Sequence, residues 1–131
     1  MSRPNYIAVS RKDKLMVSDY DGNLYILTTR GTHIQTIKEN QPPQNIHTEG
    51  VAVDGHDNII ITNTGSGYSA KRGTCIVVLS ETGDVITTIG TQGQAPGEMW
   101  GPTGITVTQS GDILVGDSYT NRVQLFTVPR S

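Results

Sequence analysis

The stretch Gly101-Pro102-Thr103-Gly104-Ile105-Thr106-Val107 is followed by Gln109-Ser110-Gly111-Asp112 and then by Ile113-Leu114-Val115-Gly116-Asp117. It runs on through Ser118-Tyr119-Thr120-Asn121-Arg122 into Val123-Gln124-Leu125-Phe126. Short apolar runs alternate with Gly, Ser, Asn and Asp, the residue types that turn a chain. This spacing predicts short strands joined by tight turns.

The same pattern occurs twice more upstream. Glu49-Gly50-Val51-Ala52-Val53-Asp54 leads through Gly55-His56-Asp57-Asn58 into Ile59-Ile60-Ile61-Thr62-Asn63, and resumes at Cys75-Ile76-Val77-Val78-Leu79. Tyr6-Ile7-Ala8-Val9-Ser10 leads through Arg11-Lys12-Asp13-Lys14 into Leu15-Met16-Val17-Ser18-Asp19, and then Leu24-Tyr25-Ile26-Leu27. Ile7 and Val51 are 44 residues apart, and Val51 and Ile105 are 54 apart. The longer second interval reflects the loop Thr64–Thr74 and a longer joining segment near Gln92–Met99. A unit of roughly 40–50 residues with four short strands, here a, b, c and d, is the period of a propeller blade. Strand d is expected at His33–Ile37 and Val85–Ile89, and the third strand c at Val123–Val128. The reading is an all-β partial propeller of three antiparallel four-stranded blades, at about 4–40, 48–92 and 101–129, in one domain spanning 1–131. The last blade lacks its outer strand, so 11 strands stand where three blades need 12.

Composition agrees. There are four Ala and six Leu against thirteen Ile, eleven Val and seventeen Thr. β-Branched side chains suit a pleated sheet and disfavour helix. No apolar run nears the roughly 20 residues that span a bilayer, and no signal-peptide pattern follows Met1. A net charge of −2 is not that of a polycation seeking nucleic acid. The single cysteine, Cys75, cannot form an internal disulfide and is read as a small core residue. A reducing, cytoplasmic setting without membrane attachment is the expectation.

These motifs resemble the NHL repeat. Pro102-Thr103-Gly104-Ile105, Asp117 and Asn121-Arg122-Val123-Gln124-Leu125-Phe126 carry the likeness most strongly, and Gly50-Val51-Ala52-Val53-Asp54 carries it well. The first copy carries it weakly, because it lacks the Arg equivalent. Gly90-Thr91-Gln92-Gly93-Gln94-Ala95-Pro96-Gly97-Glu98-Met99 looks like the joint between such repeats. The resemblance implies a six-bladed ring of the tripartite-motif type, of which this would be the C-terminal half. It also implies a non-catalytic module that recognises protein or RNA for a ubiquitin ligase whose RING lies elsewhere. Remaining blades or a second copy of the chain would complete the ring.

In a propeller the d–a and b–c connections emerge on one rim, and the a–b and c–d turns on the other. The first rim gathers Tyr20, Tyr68, Lys71, Arg72, Met99, Trp100, Tyr119, Asn121 and Arg122. Aromatics beside Lys and Arg can anchor a protein or stack single-stranded RNA, so these are the candidate partner-binding residues. Arg122 also reads as a hydrogen-bonding strut, and Trp100 as packing. The second rim gathers Asp54, Asp57, Glu81, Asp84 and Asp112 with Arg11, Lys12 and Lys14. The equal placing of Asp19, Asn63 and Asp117 at the end of strand b suggests a repeated turn hydrogen bond. His33, His47 and His56 form no metal-ligand pair, and no nucleophile elbow or phosphate loop is present. No cofactor, metal or catalytic residue is expected. The alternatives are a self-pairing half-propeller scaffold, since an open arc would expose apolar blade faces at both ends, and part of a propeller lyase or hydrolase, which would need His or carboxylate side chains projecting from the inner strands.

Overall fold

The computed structural model describes residues 1, 3–42, 44–64, 75–92, 95–117 and 121–127. It is all-β. The first sheet runs β1 (Pro4–Val9), β2 (Lys14–Asp19), β3 (Leu24–Thr28) and β4 (His33–Ile37), paired in that order and antiparallel. The second repeats it with β5 (Thr48–Val53), β6 (Ile59–Asn63), β7 (Cys75–Leu79) and β8 (Val85–Ile89). After the short parallel pair β9 (Thr91–Gln92) and β10 (Glu98–Met99), the third sheet has β11 (Pro102–Val107), β12 (Ile113–Asp117) and β13 (Arg122–Phe126). These are the expected blades, with strand d at the expected residues in the first two. The third strand c is shorter than expected, ending at Phe126, and the β9–β10 pair was not legible in advance.

Each blade begins with the same irregularity. Pro4 pairs with Asp19 and Tyr6 with Ser18, while Thr48 and Val51 pair with Asn63 and Ile61, and Pro102 and Ile105 with Asp117 and Val115. Strand a therefore carries one extra residue, a bulge, at the same place in every copy. The a–b turns are equally repeated: Asp13, Asp57 and Gly111 share a left-handed φ of 60°, 62° and 91°.

Register sorts the side chains of each blade onto two faces. Ala8, Met16 and Ile26 lie side by side, as do Ser18 and Leu24, on the face that meets the second blade. Val51, Ile61 and Val77, with Val53, Ile59 and Leu79, form the receiving face. The second blade then turns Ala52, Ile60, Thr62 and Ile76 to the third, which answers with Ile105, Val107, Ile113 and Val115. The core thus lies in two inter-blade layers of Ile, Val, Leu and Met rather than inside any one sheet. A lone blade would expose both its faces.

Hydroxyl groups pin these layers at equivalent points. Ser18 Oγ donates to the carbonyl of Glu49 in the next blade at 2.6 Å. Thr62 Oγ1, at the matching position, accepts the Gly50 amide at 2.7 Å and donates to the Thr103 carbonyl at 3.4 Å. Gly50 is required there, because a Cβ would run into the Thr103 carbonyl oxygen.

Candidate interaction rim

The end of strand b organises the rim that carries the aromatic and basic residues. Asp117 is buried, and its Oδ1 and Oδ2 accept the amides of Gly101 at 3.0 Å and Trp100 at 2.7 Å. Asn63 does the same for the second blade, with Oδ1 accepting the His47 amide at 2.9 Å. Asp19 serves its own b–c turn instead, accepting the amides of Asp21 and Asn23 and the Tyr25 hydroxyl, the last at 3.0 Å. A repeated backbone-holding role is therefore what these three positions share.

Arg122 acts as a strut. Its Nη2 donates to the carbonyls of Ala95, at 3.1 Å, and Glu98. Gln124 reinforces it, donating to the Glu98 carbonyl at 2.7 Å and accepting the Gly97 amide at 2.9 Å. The joint Ala95–Gly101 is thus strapped to strands b and c of the third blade. With its amide fixed, Trp100 leaves its side chain exposed. Asn121, exposed and left-handed, begins the hollow that Thr103, Gly116, Arg122 and Val123 continue.

Met99 is fully buried in the core cluster, with its methyl against Gly90. It is a packing residue and does not belong to the rim's accessible surface. The reason is the strapped joint, which turns Met99 inward and Trp100 outward. Tyr20 is exposed on the first blade, and the Arg3 guanidinium lies 4.7 Å from its ring centroid, an arrangement that favours a cation over the ring. Tyr68, Lys71, Arg72 and Tyr119 fall outside the described residues. Sequence reasoning read Asp117 as a turn hydrogen-bonder without its partners, and missed Gln124 and Arg3 as contributors to this rim. Only the carboxamide in Asn121–Phe126 offered a signal for Gln124.

At the opposite rim Lys12 Nζ meets Glu81 at 3.0 Å, and Asp57 Oδ1 accepts the Arg11 amide at 2.9 Å. Both contacts join the first blade to the second. Hydrogen bonding and the charge of Glu81 raise the Lys12 pKa. A hollow lined by Val9, Arg11, Val53, Asp54, Val107 and Gln109 lies where the three inner strands end. Asp54 there accepts the amides of His56 and Asn58. Among the described residues no three His, Cys, Asp or Glu side chains cluster as a metal site would require. Among them, too, no helix is long and apolar enough to cross a membrane.

Comparison with known proteins agrees with this architecture. No curated protein matches the chain in sequence. A protein of unknown function from Bacteroides caccae is 17% identical with a TM-score of 0.63, covering 98% of this chain and 46% of its own. The WD40 β-propeller domain of Doa1 is 15% identical with a TM-score of 0.66, covering 97% and 37%. Virginiamycin B lyase from Staphylococcus aureus, a catalytically inactive variant with quinupristin, is 13% identical with a TM-score of 0.55, covering 94% and 40%. The chain spans less than half the length of these structures, and at such identities the likeness concerns the fold. In sequence, residues 99–126, from the buried Met99 through the Arg122 strut to Phe126, match the NHL repeat.

Proposed function

We propose that this chain is a non-catalytic NHL-repeat interaction module whose strapped rim recognises a protein partner. One observation carries the reading: the backbone of Trp100 is held by a buried carboxylate while its indole stays exposed. A rigid aromatic loses little entropy on binding and makes a strong anchor. Tyr20, paired with Arg3, and Asn121 extend the surface, and Tyr68, Lys71, Arg72 and Tyr119 supply further aromatic and basic character by sequence. The resemblance to tripartite-motif NHL proteins extends the proposal to substrate recognition for a ubiquitin ligase in the cytoplasm.

Replacing Trp100, Lys71, Arg72 and Tyr119 together is expected to abolish capture of the protein partner and leave the β-sheet circular dichroism intact. Unchanged capture by the folded quadruple variant overturns the proposal. If single-stranded RNA binds instead, and its affinity falls steeply with salt, the rim is an RNA platform.

A further inference from the structure

Between the first two blades the rim holds a histidine and a carboxylate whose facing atoms are cut off from water. His47 Nδ1 lies 3.8 Å from Glu39 Oε2, both atoms are buried, and neither has a hydrogen-bond partner. Backbone bonds fix the place from several sides. The Glu39 amide donates to Asn23 Oδ1 at 2.8 Å. The His47 amide donates to Asn63 Oδ1 at 2.9 Å, and the His47 carbonyl accepts the Thr64 amide at 3.3 Å. The ring lies on Gly22, where a Cβ would strike it, and the Gly22 carbonyl accepts the Thr48 amide at 2.9 Å. The imidazole is thus held against the carboxylate at the foot of the connection that carries Lys71 and Arg72.

These surroundings set the tautomer of the ring. An ionised carboxylate only accepts hydrogen bonds, and so does a ring nitrogen without its proton. Two such acceptors sealed together would both lack a partner, a cost that folded proteins avoid. The imidazole itself must supply the proton, since among the described residues no other donor reaches either atom. A small turn of the Glu39 carboxylate shortens the gap to hydrogen-bond length, and Nδ1–H then donates to Oε2. In the neutral ring this leaves Nε2 without a proton. Nε2 is not sealed as Nδ1 is, and among the described residues it has no hydrogen-bond partner. The side chain is 20% exposed, so its accepting end is open to a partner.

We infer that His47, oriented by Glu39, is a fixed hydrogen-bond acceptor of the rim and receives a lysine or arginine side chain of the partner. Those two side chains donate and never accept. Glu39, part-exposed, and Asp21, exposed next to Gly22, add negative charge beside the ring, which favours a cationic donor over a hydroxyl or an amide. The adjoining cation, Lys38, borders a separate groove along β4 with Gln35 and Thr36. In this arrangement His47 makes the contact and Glu39 is a positioning residue. The inference rests on the reading of this rim as the partner-binding face and gives that face a chemistry between its first two blades.

Long-range proton–nitrogen correlations of the imidazoles, recorded on the nitrogen-15-labelled chain at about pH 8, above the ordinary histidine range, test this directly. His47→Gln assigns the signal. The proton is expected on Nδ1, with Nε2 bare. Glu39→Gln, whose carboxamide oxygen still accepts, should keep that pattern. Glu39→Ala should shift the proton toward Nε2 while the β-sheet circular dichroism stays unchanged. Titration with N-acetyl-arginine methylamide should move the Nε2 signal of the parent, with roughly fivefold weaker affinity in Glu39→Ala, and N-acetyl-aspartate methylamide should not move it. A protonated Nε2 in the parent, a tautomer indifferent to Glu39→Ala, or an arginine probe that leaves Nε2 unmoved overturns the inference. Each of these results is compatible with loss of capture by the Trp100 quadruple variant. Retained capture by that variant, with the tautomer and the arginine response as expected, strikes the Trp100 anchor alone.

Discussion

Asp117 and Trp100 are joined by a 2.7 Å bond from the indole residue's amide to the buried carboxylate, which also takes the Gly101 amide. Removing the acceptor leaves two amides short of a partner in a site that water reaches poorly. Asp117→Ala is expected to lower stability by roughly 1–3 kcal/mol, read as a lower urea midpoint at unchanged slope. Asp117→Asn should lose less, because Asn63 performs the equivalent task with a carboxamide oxygen.

Gly50 lies against the Thr103 carbonyl, whereas the matching Gly104 faces open space in the single chain. Gly50→Ala should therefore cost about 1–3 kcal/mol through overpacking of the layer. Gly104→Ala should leave unfolding unchanged, since a Cβ there meets nothing within 4 Å. Urea denaturation of the two variants beside the parent measures the contrast.

Tyr25 links stability to pH at the alkaline end. Burial first, and then its hydrogen bond to Asp19, raise its pKa. The folded state thus keeps this proton to higher pH than the unfolded chain does. Its contribution is complete below the ordinary tyrosine range, near pH 10, and is lost as pH rises through the raised value. Tyr25→Phe should lose less stability between about pH 9 and 11 than the parent does, measured by unfolding at fixed pH. Lys12, exposed at the surface beside Glu81, is expected to add little to this dependence.

Burial pushes the Cys75 thiol up, against a smaller lowering by Asn63. A protonated, buried thiol is a poor nucleophile. Thiol reagents at neutral pH should label Cys75 only as fast as the protein opens, and at full rate in denaturant. Rapid labelling of the native chain would contradict the packing role.

The blades were legible because alternation and turn residues are local properties: His33–Ile37 and Val85–Ile89 needed nothing beyond their own pattern. The position shared by Asp19, Asn63 and Asp117 was legible as a repeated hydrogen bonder, because equal spacing signals equal geometry. What each one bonds was not, since that depends on the d–a connection folding back across the blade. Met99 was misplaced for the same reason. Adjacent residues in a joint can point either way, and the Arg122 and Gln124 bonds that turn it inward span more than twenty positions. The Ser18 and Thr62 pins were equally invisible, because a hydroxyl in a strand carries no mark of the carbonyl it will find in the next blade.

The bulge at the start of every inner strand has a consequence for how this sequence can change length. From Pro4, Thr48 and Pro102 to the apolar pairs that follow, the extra residue sets the phase in which Ile7, Val51 and Ile105 meet their partners. Deleting Asn5, Glu49 or Thr103 would re-phase what precedes or follows it and exchange buried for exposed side chains. An insertion in a b–c connection moves no such frame. Length variation among natural versions of this repeat should therefore collect in the connections and stay out of these short spans, which act as the reading frame of the blade.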